Sequence, residues 1–256
     1  MRWLLSLLHH RAAPVRFVQV GAHDGSSKSP LLTWRRDEGW TGLMIEPVPS
    51  LFAQLQANLG HLPGMILENA AIGKTRGRAT FYGMRPAASP ALDRFSMLGS
   101  FRKDVILKHR IQHPEIEEHI EELEVECWPL MDLLAKHDLL AAQVLVIDTE
   151  GFDHEILTTI DFATFSPSLV IYEYKHLGSE LAMQSAALLR RHGYYVLRAD
   201  DEDAVAIHPR LIPADECEIL ARPLLEHDSL MRLLEISGTF SVHHKPQGGM
   251  QVRRIA

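Results

Sequence analysis

FVQVGAHDG, from Phe17 to Gly25, is the stretch whose reading decides the fold of this chain. Phe17, Val18 and Val20 are apolar at adjacent as well as alternate positions, the pattern of a strand covered on both faces in a parallel sheet. Gly21 and Gly25 then bracket a turn. Glycine tolerates positive φ there and lets main-chain N–H groups come closer to a ligand than a side chain would permit. A buried strand that breaks into such a turn is expected to cradle a nucleotide-type cofactor, with His23 shaping the turn.

Working outward, SPLLTWRRDEGW predicts a helix that begins near Ser29 or Pro30, turns Leu31, Leu32 and Trp34 inward and ends at Gly39. The strand GLMIEP comes next. It ends in Glu46, about 20 residues beyond the glycine turn, the spacing at which a carboxylate can accept hydrogen bonds from a ribose diol. Pro47 and Pro49 stop that strand, and PSLFAQLQANLG gives a helix with Leu51, Phe52, Leu55 and Leu59 at helical spacing. GMILENAAIG reads as a third strand, whose small residues Ala70 and Ala71 leave room for a flat ring. The next strand, GRATFYG, departs from a plain β-α-β alternation, so the middle of the chain carries an insertion. Over 84–126 the sequence predicts a lid: a Pro- and Ser-containing loop, then a helical stretch basic at Arg102, Lys103, Lys108 and Arg110 and acidic from Glu115 to Glu126. A solvated helix face accounts for the acidic run; attraction of a cationic substrate is the alternative.

Strand-like ELEVECW, Glu122 to Trp128, leads into the amphipathic helix LMDLLAKHDLL, and AQVLVIDTEGFDHEIL is the second informative stretch. Val144 to Ile147 form a buried strand, after which Asp148, Glu150 and Asp153 gather where strand gives way to helix. SPSLVIYEYKHL repeats the pattern and ends in Glu173, Lys175 and His176. Ligands of open parallel sheets bind outside the strand C-termini, where the strand order reverses, so three strand ends are expected to bring charged groups to one cleft. A strand near Tyr194 to Leu197 and an antiparallel return near Val205 to Ile207 close a sheet edge. Past Pro209 the sequence predicts a helix over Ser229–Ile236 and a hairpin of TFSVHH and MQVRRI turned by KPQGG. The domain reading is therefore one α/β domain over 1–208 with its insertion, and an extension over 209–256 that covers an edge strand or contributes to a homodimer contact.

Composition narrows the function. A formal charge of -7 over 256 residues argues against a general nucleic-acid binder, which needs a concentrated basic face. Cys127 and Cys217 form no CxxC pair and no disulfide framework, which suggests a reducing, cytoplasmic setting. MRWLLSLLHH is too short for a signal-peptide core or a membrane span, and Trp3, Leu4, Leu7 and Leu8 form one helical face instead. His9-His10 and His243-His244 lack companion ligands, so no metal site is expected. G-x-G-x-x-G is absent from the turn Gly21-Ala22-His23-Asp24-Gly25, and no P-loop or G-x-S-x-G elbow occurs. What survives is a nucleoside cofactor without a pyrophosphate to cradle.

FVQVGAHDG, GLMIEPVPSLFAQLQANL, ENAAIG, GSF and VLVIDTEGFDHEIL, in this order, resemble the FkbM family of S-adenosylmethionine-dependent methyltransferases over about residues 19 to 177. The resemblance implies a class I methyltransferase fold: a Rossmann-like, doubly wound, mostly parallel sheet of seven strands, the last antiparallel. It also implies S-adenosylmethionine as cofactor. Gly21, Ala22 and Gly25 would line its methionine part, Glu46 would bind the ribose hydroxyls, Asn69, Ala70, Ala71 and Ile72 would lie beside adenine, and Gln19, His23, Asp24 and Pro47 would complete the cofactor-binding residues. Asp148 would sit close to the sulfonium and the acceptor. The sequence departs at Gln19, where many methyltransferases carry an acidic residue, so a carboxylate contact to the cofactor amine is lost.

Methyl transfer from a sulfonium is an in-line displacement, so the protein must align the acceptor and take its proton. Asp148, Glu150, Glu173 and His176 are the candidates. His176 titrates near neutrality and suits proton exchange, or else it is a hydrogen-bonded structural residue; Glu150 is a base or merely orders its loop. The function expected is O-methylation of a hydroxylated small molecule such as a sugar, glycan or natural product. A noncatalytic binding module of the same fold is the alternative. An NAD-dependent oxidoreductase is kept open only by Glu46, which could hold either cofactor's ribose.

Overall fold

The computed structural model describes residues 2–26, 29–85, 95–213, 240–244 and 250–254. The chain divides into two compact units, Met1–Leu211 and Ile212–Ala256. In the first, α1 (Arg2–Ala12) precedes β1 (Arg16–Val20), α2 (Leu32–Asp37), β2 (Thr41–Ile45), α3 (Pro49–Leu59) and β3 (Met65–Glu68). Then come β4 (Ala71–Ile72), β5 (Gly77–Met84), β6 (Gly99–Ser100), α4 (Lys103–Leu107) and β7 (Ile120–Trp128). The unit ends with α5 (Leu130–Lys136), β8 (Val144–Ile147), α6 (Asp153–Thr158), β9 (Leu169–Glu173), α7 (Gly178–Arg191), β10 (Tyr195–Arg198) and β11 (Asp203–Ile207).

The main sheet has seven strands in the order β10-β11-β9-β8-β1-β2-β3. β3, β2, β1, β8 and β9 run parallel, while β11 is antiparallel to both its neighbours. This is the doubly wound sheet expected from the sequence, with the order reversing at β1, between β2 and β8. β1 is covered on both faces, as its unbroken apolar pattern predicted: Val18 and Val20 join a core cluster with Leu133, Leu145 and Ile156, while Phe17 and Gln19 are buried on the opposite side of the pleat.

Register, more than strand order, brings the site residues together. Val20 lies opposite Ile45 on one side and Ile147 on the other; Ile45 is paired with Glu68 and Ile147 with Tyr172. The next residue on each strand therefore falls in a single row across the sheet: Asn69, Glu46, Gly21, Asp148 and Glu173. Five residues from five distant stretches of sequence share one edge.

The insertion is a second sheet. Its four strands, in the order β4-β7-β5-β6, are held chiefly by the long antiparallel pairing of β5 with β7. Two expectations change here. The predicted third strand is two strands in different sheets, because the Asn69 side chain donates to the carbonyls of Glu46 (2.8 Å) and Pro47 (3.1 Å) and the chain turns there. The predicted long helix in the insertion is only α4, followed by 3-10 turns at Lys108–Ile111 and Pro114–His119. Beyond Ile120 the acidic run is strand β7, in which Val125 and Cys127 face inward and Glu122, Glu124 and Glu126 outward. Over 122–128 this is the strand read from ELEVECW, whose apolar and charged residues alternate.

In the second unit β12 (Phe240–His244) and β13 (Met250–Arg254) pair antiparallel, as the hairpin reading expected. The helix expected at Ser229–Ile236, the turn KPQGG and Cys217 lie outside the described residues. Cys127 is free and buried. Among the described residues no helix is long and apolar enough to cross a membrane.

Candidate active site

The row of strand ends opens onto a pocket. Gly21, His23, Glu46, Pro47, Ala70, Ala71, Ile72 and Asp148 line it, all of them anticipated from the sequence. Gln19, Ala22, Asp24, Gly25 and Asn69, also anticipated, do not line it; they build the scaffold behind. Asn69 ties β3 to the end of β2 through its two carbonyl contacts. Asp24 accepts from the Ser26 amide (2.9 Å) and hydroxyl (2.7 Å), closing the turn on itself.

The two bracketing glycines serve chain packing. Gly21 has φ 79°, and a Cβ there would meet the Asp148 carbonyl oxygen at 1.7 Å. Gly25 has φ 72°, and a Cβ would meet Leu55 and Leu59 of α3 at 2.5 and 2.6 Å. Only a residue without a side chain lets β1 and β8 stay this close while the turn folds over α3.

Glu46 is only 2 % exposed. Its Oε2 accepts from the His23 amide at 2.8 Å and its Oε1 from the Val48 amide at 2.9 Å. Burial raises its pKa, against the pull of His23 and these two amides. Each oxygen keeps a second lone pair, so a ribose diol can still be accepted. The residues fit S-adenosylmethionine: a buried carboxylate with acceptor capacity, small Ala70 and Ala71 beside it, and apolar Ile72, Phe81, Met97, Phe101, Phe152 and Ile156 for the remaining wall.

Much of that wall comes from the insertion, and sequence reasoning did not assign it. Phe101 packs edge-on against Phe81 at 5.1 Å between centroids and, tilted, against Phe152 at 4.7 Å. Ser100, fully buried, donates to the Glu150 carbonyl (2.8 Å) and accepts from the Arg102 amide (3.0 Å), joining the insertion to the turn after β8. GSF belongs to the family-like motifs, but its contacts are tertiary and leave no local signal. Arg35 was also missed. Its guanidinium is buried, reaches the Gly25 carbonyl at 2.9 Å and Gln19 Oε1 at 3.5 Å, and burial lowers its pKa to about 10. Its i, i+4 relation to buried Leu31 was the available clue.

Glu150, Glu173 and His176 form a separate group outside the cavity lining. His176 Nε2 is 3.2 Å from Glu150 Oε2 and 3.6 Å from Glu173 Oε1. Burial raises Glu173 to about 10, with Glu150 and Asp148 adding to it, and burial lowers His176 to about 4, with Lys175 adding. Asp153, fully buried, orders the same corner by accepting from the Thr149 hydroxyl (2.8 Å) and the Glu173 amide (3.1 Å).

A sequence profile described as the methyltransferase FkbM domain matches residues 19–196. No curated protein matches. Among solved structures, the chain is similar to a methyltransferase FkbM from Methylobacillus flagellatus, with 14% identity and a TM-score of 0.47. The match covers 76% of this chain and 43% of that one, so this chain spans less than half of that protein's length. A precorrin-6y C5,15-methyltransferase from Geobacter metallireducens is similar at 13% identity and TM-score 0.41, over 80% of this chain and 85% of that one. A fibrillarin pre-rRNA processing protein from Methanococcus jannaschii gives 11% and 0.38, over 76% and 66%.

Proposed function

This chain belongs to the methyltransferase FkbM domain family, and from that premise we propose that it is an S-adenosylmethionine-dependent methyltransferase acting on a hydroxyl group of a small molecule. The observation that carries the reading is the row of strand ends: Glu46, Gly21 and Asp148 come from three parallel strands in register and line one cavity. The cofactor supplies an electrophilic methyl group on a sulfonium.

The chain's own tasks follow from where its groups lie. Glu46 would accept from the ribose hydroxyls while the His23 and Val48 amides hold its carboxylate still. Ala70, Ala71 and Ile72 would flank the adenine, and Phe81, Phe101 and Phe152 give the cavity its apolar wall. Asp148 lines the cavity next to Gly21 in the row, so we assign it the acceptor's proton. Glu150, Glu173 and His176 hold one another outside the lining, and we assign them to ordering the turn after β8. A hydroxyl is the acceptor that needs the base Asp148 offers.

Calorimetric titration of the full chain with S-adenosylmethionine, S-adenosylhomocysteine and NAD tests this directly. Saturable binding of both S-adenosyl ligands, weakened at least about tenfold in Glu46→Ala, supports the reading and justifies a screen of hydroxylated acceptors. Failure of folded protein to bind either ligand favours a noncatalytic module. Binding of NAD alone would make the chain an oxidoreductase instead.

A further inference from the structure

The corner formed by Glu150, Glu173 and His176 holds more acceptor capacity than it uses. One ligand-capable atom from each residue lies within 4.8 Å of the other two. His176 Nε2 faces both carboxylates, at 3.2 and 3.6 Å, yet an imidazole nitrogen carries at most one proton and can donate it to only one of them. Glu173 is 7 % exposed, and its Oε2 is buried with no hydrogen-bond partner. A buried carboxyl oxygen in that condition costs free energy unless a shared proton or a metal ion meets it.

The three residues are also fixed in place by the backbone. Glu150 has φ 51° and Gly151 φ 96°; the Glu150 carbonyl is held by Ser100, and a Cβ on Gly151 would lie 3.2 Å from the His176 carbonyl and 3.3 Å from its Cβ. Glu173 closes β9, with its amide on Asp153. The turn after β8 and the end of β9 thus converge on one point with little freedom to move apart.

We propose that Glu150, Glu173 and His176 bind a single divalent metal ion of the Mn²⁺ to Zn²⁺ series beside the proposed cofactor cavity. Two hard carboxylates favour a divalent cation, and the imidazole selects a first-row transition metal over Mg²⁺, which prefers all-oxygen surroundings. Coordination takes the lone pair of His176 Nε2 and one oxygen of each glutamate, and any proton the group shares leaves to solvent. Three protein ligands leave coordination positions for water or another oxygen. Such a site is independent of the proposed methyl transfer, since metal binding is read in the absence of cofactor and acceptor.

The test uses the full chain stripped of metal by chelator and titrated with Mn²⁺, Zn²⁺ and Mg²⁺ in turn. One equivalent of Mn²⁺ and of Zn²⁺ should bind, with Mg²⁺ far weaker. His176→Gln and Glu173→Gln should each weaken binding by more than about tenfold, the least that loss of even an orienting partner costs at a metal site. If those variants do not fold, pulsed electron paramagnetic resonance of Mn²⁺ on the unaltered chain decides: a single bound ion with imidazole nitrogen coupling is expected. The proposal is overturned by folded chain that binds no equivalent of either transition metal, by binding that both folded variants retain, or by bound Mn²⁺ without nitrogen coupling.

Discussion

The carbonyl oxygen of Asp148 occupies the space that a side chain on Gly21 would need, 1.7 Å from where its Cβ would stand. The pair joins the ends of β1 and β8 at the point where the sheet reverses its order. Gly21→Ala must therefore push the two backbones apart, as well as place alanine at φ 79°. A loss of more than about 2 kcal/mol is expected, above the cost of left-handed backbone alone. Urea unfolding of the variant measures it, and an unchanged midpoint would contradict the packing described.

Ser100 makes a second prediction, on dynamics. Its hydroxyl is the link between the insertion and the Glu150 carbonyl, and Ser100→Ala removes it without adding bulk. Losing one partner of a buried hydrogen bond costs about 1–3 kcal/mol, so amide exchange over residues 149–151 and at Arg102 should accelerate roughly tenfold or more if the loss is local. Exchange followed by mass spectrometry reads this by segment. Equal acceleration everywhere would mean that the link has no local role.

Asp203 sets a third, on pH. Burial raises its pKa from 3.8 to about 7, with Asp200 and Asp148 adding. The folded state then keeps a proton that the unfolded chain releases, so the contribution to stability is full below about pH 4 and lost as pH rises toward 7. Asp203→Asn stays neutral throughout, so the variant's stability should fall less steeply than the parent's between about pH 5 and pH 7. Unfolding midpoints across that interval compare the two; parallel slopes would dispose of the assignment.

What these residues have in common explains how far a sequence reading reaches. Phe17–Gly25 and Val144–Asp148 announce themselves because burial on both faces and a glycine break are properties of neighbouring residues. The same signals placed Glu46 and Asp148 at strand ends facing one cleft, while the seven-stranded sheet was what the family resemblance implied. Arg35 and Ser100 did not follow. A charged residue in a short helix and a serine in a loop look solvated until the fold brings Gly25, Gln19 and Glu150 to them.

The chain's local chemistry by itself determined the buried parallel strands, the residues that end them and the family to which they belong. Tertiary structure decided the rest. Register set Asn69, Glu46, Gly21, Asp148 and Glu173 in one row, the second sheet supplied the aromatic wall, and the glycines became packing contacts. It also divided the four candidate acid–base residues, leaving Asp148 on the cavity and drawing Glu150, Glu173 and His176 into a cluster of their own. The physical reason is range: patterning and turn chemistry act over a few residues, whereas pairing register and burial between segments far apart in sequence exist only once the sheet has formed.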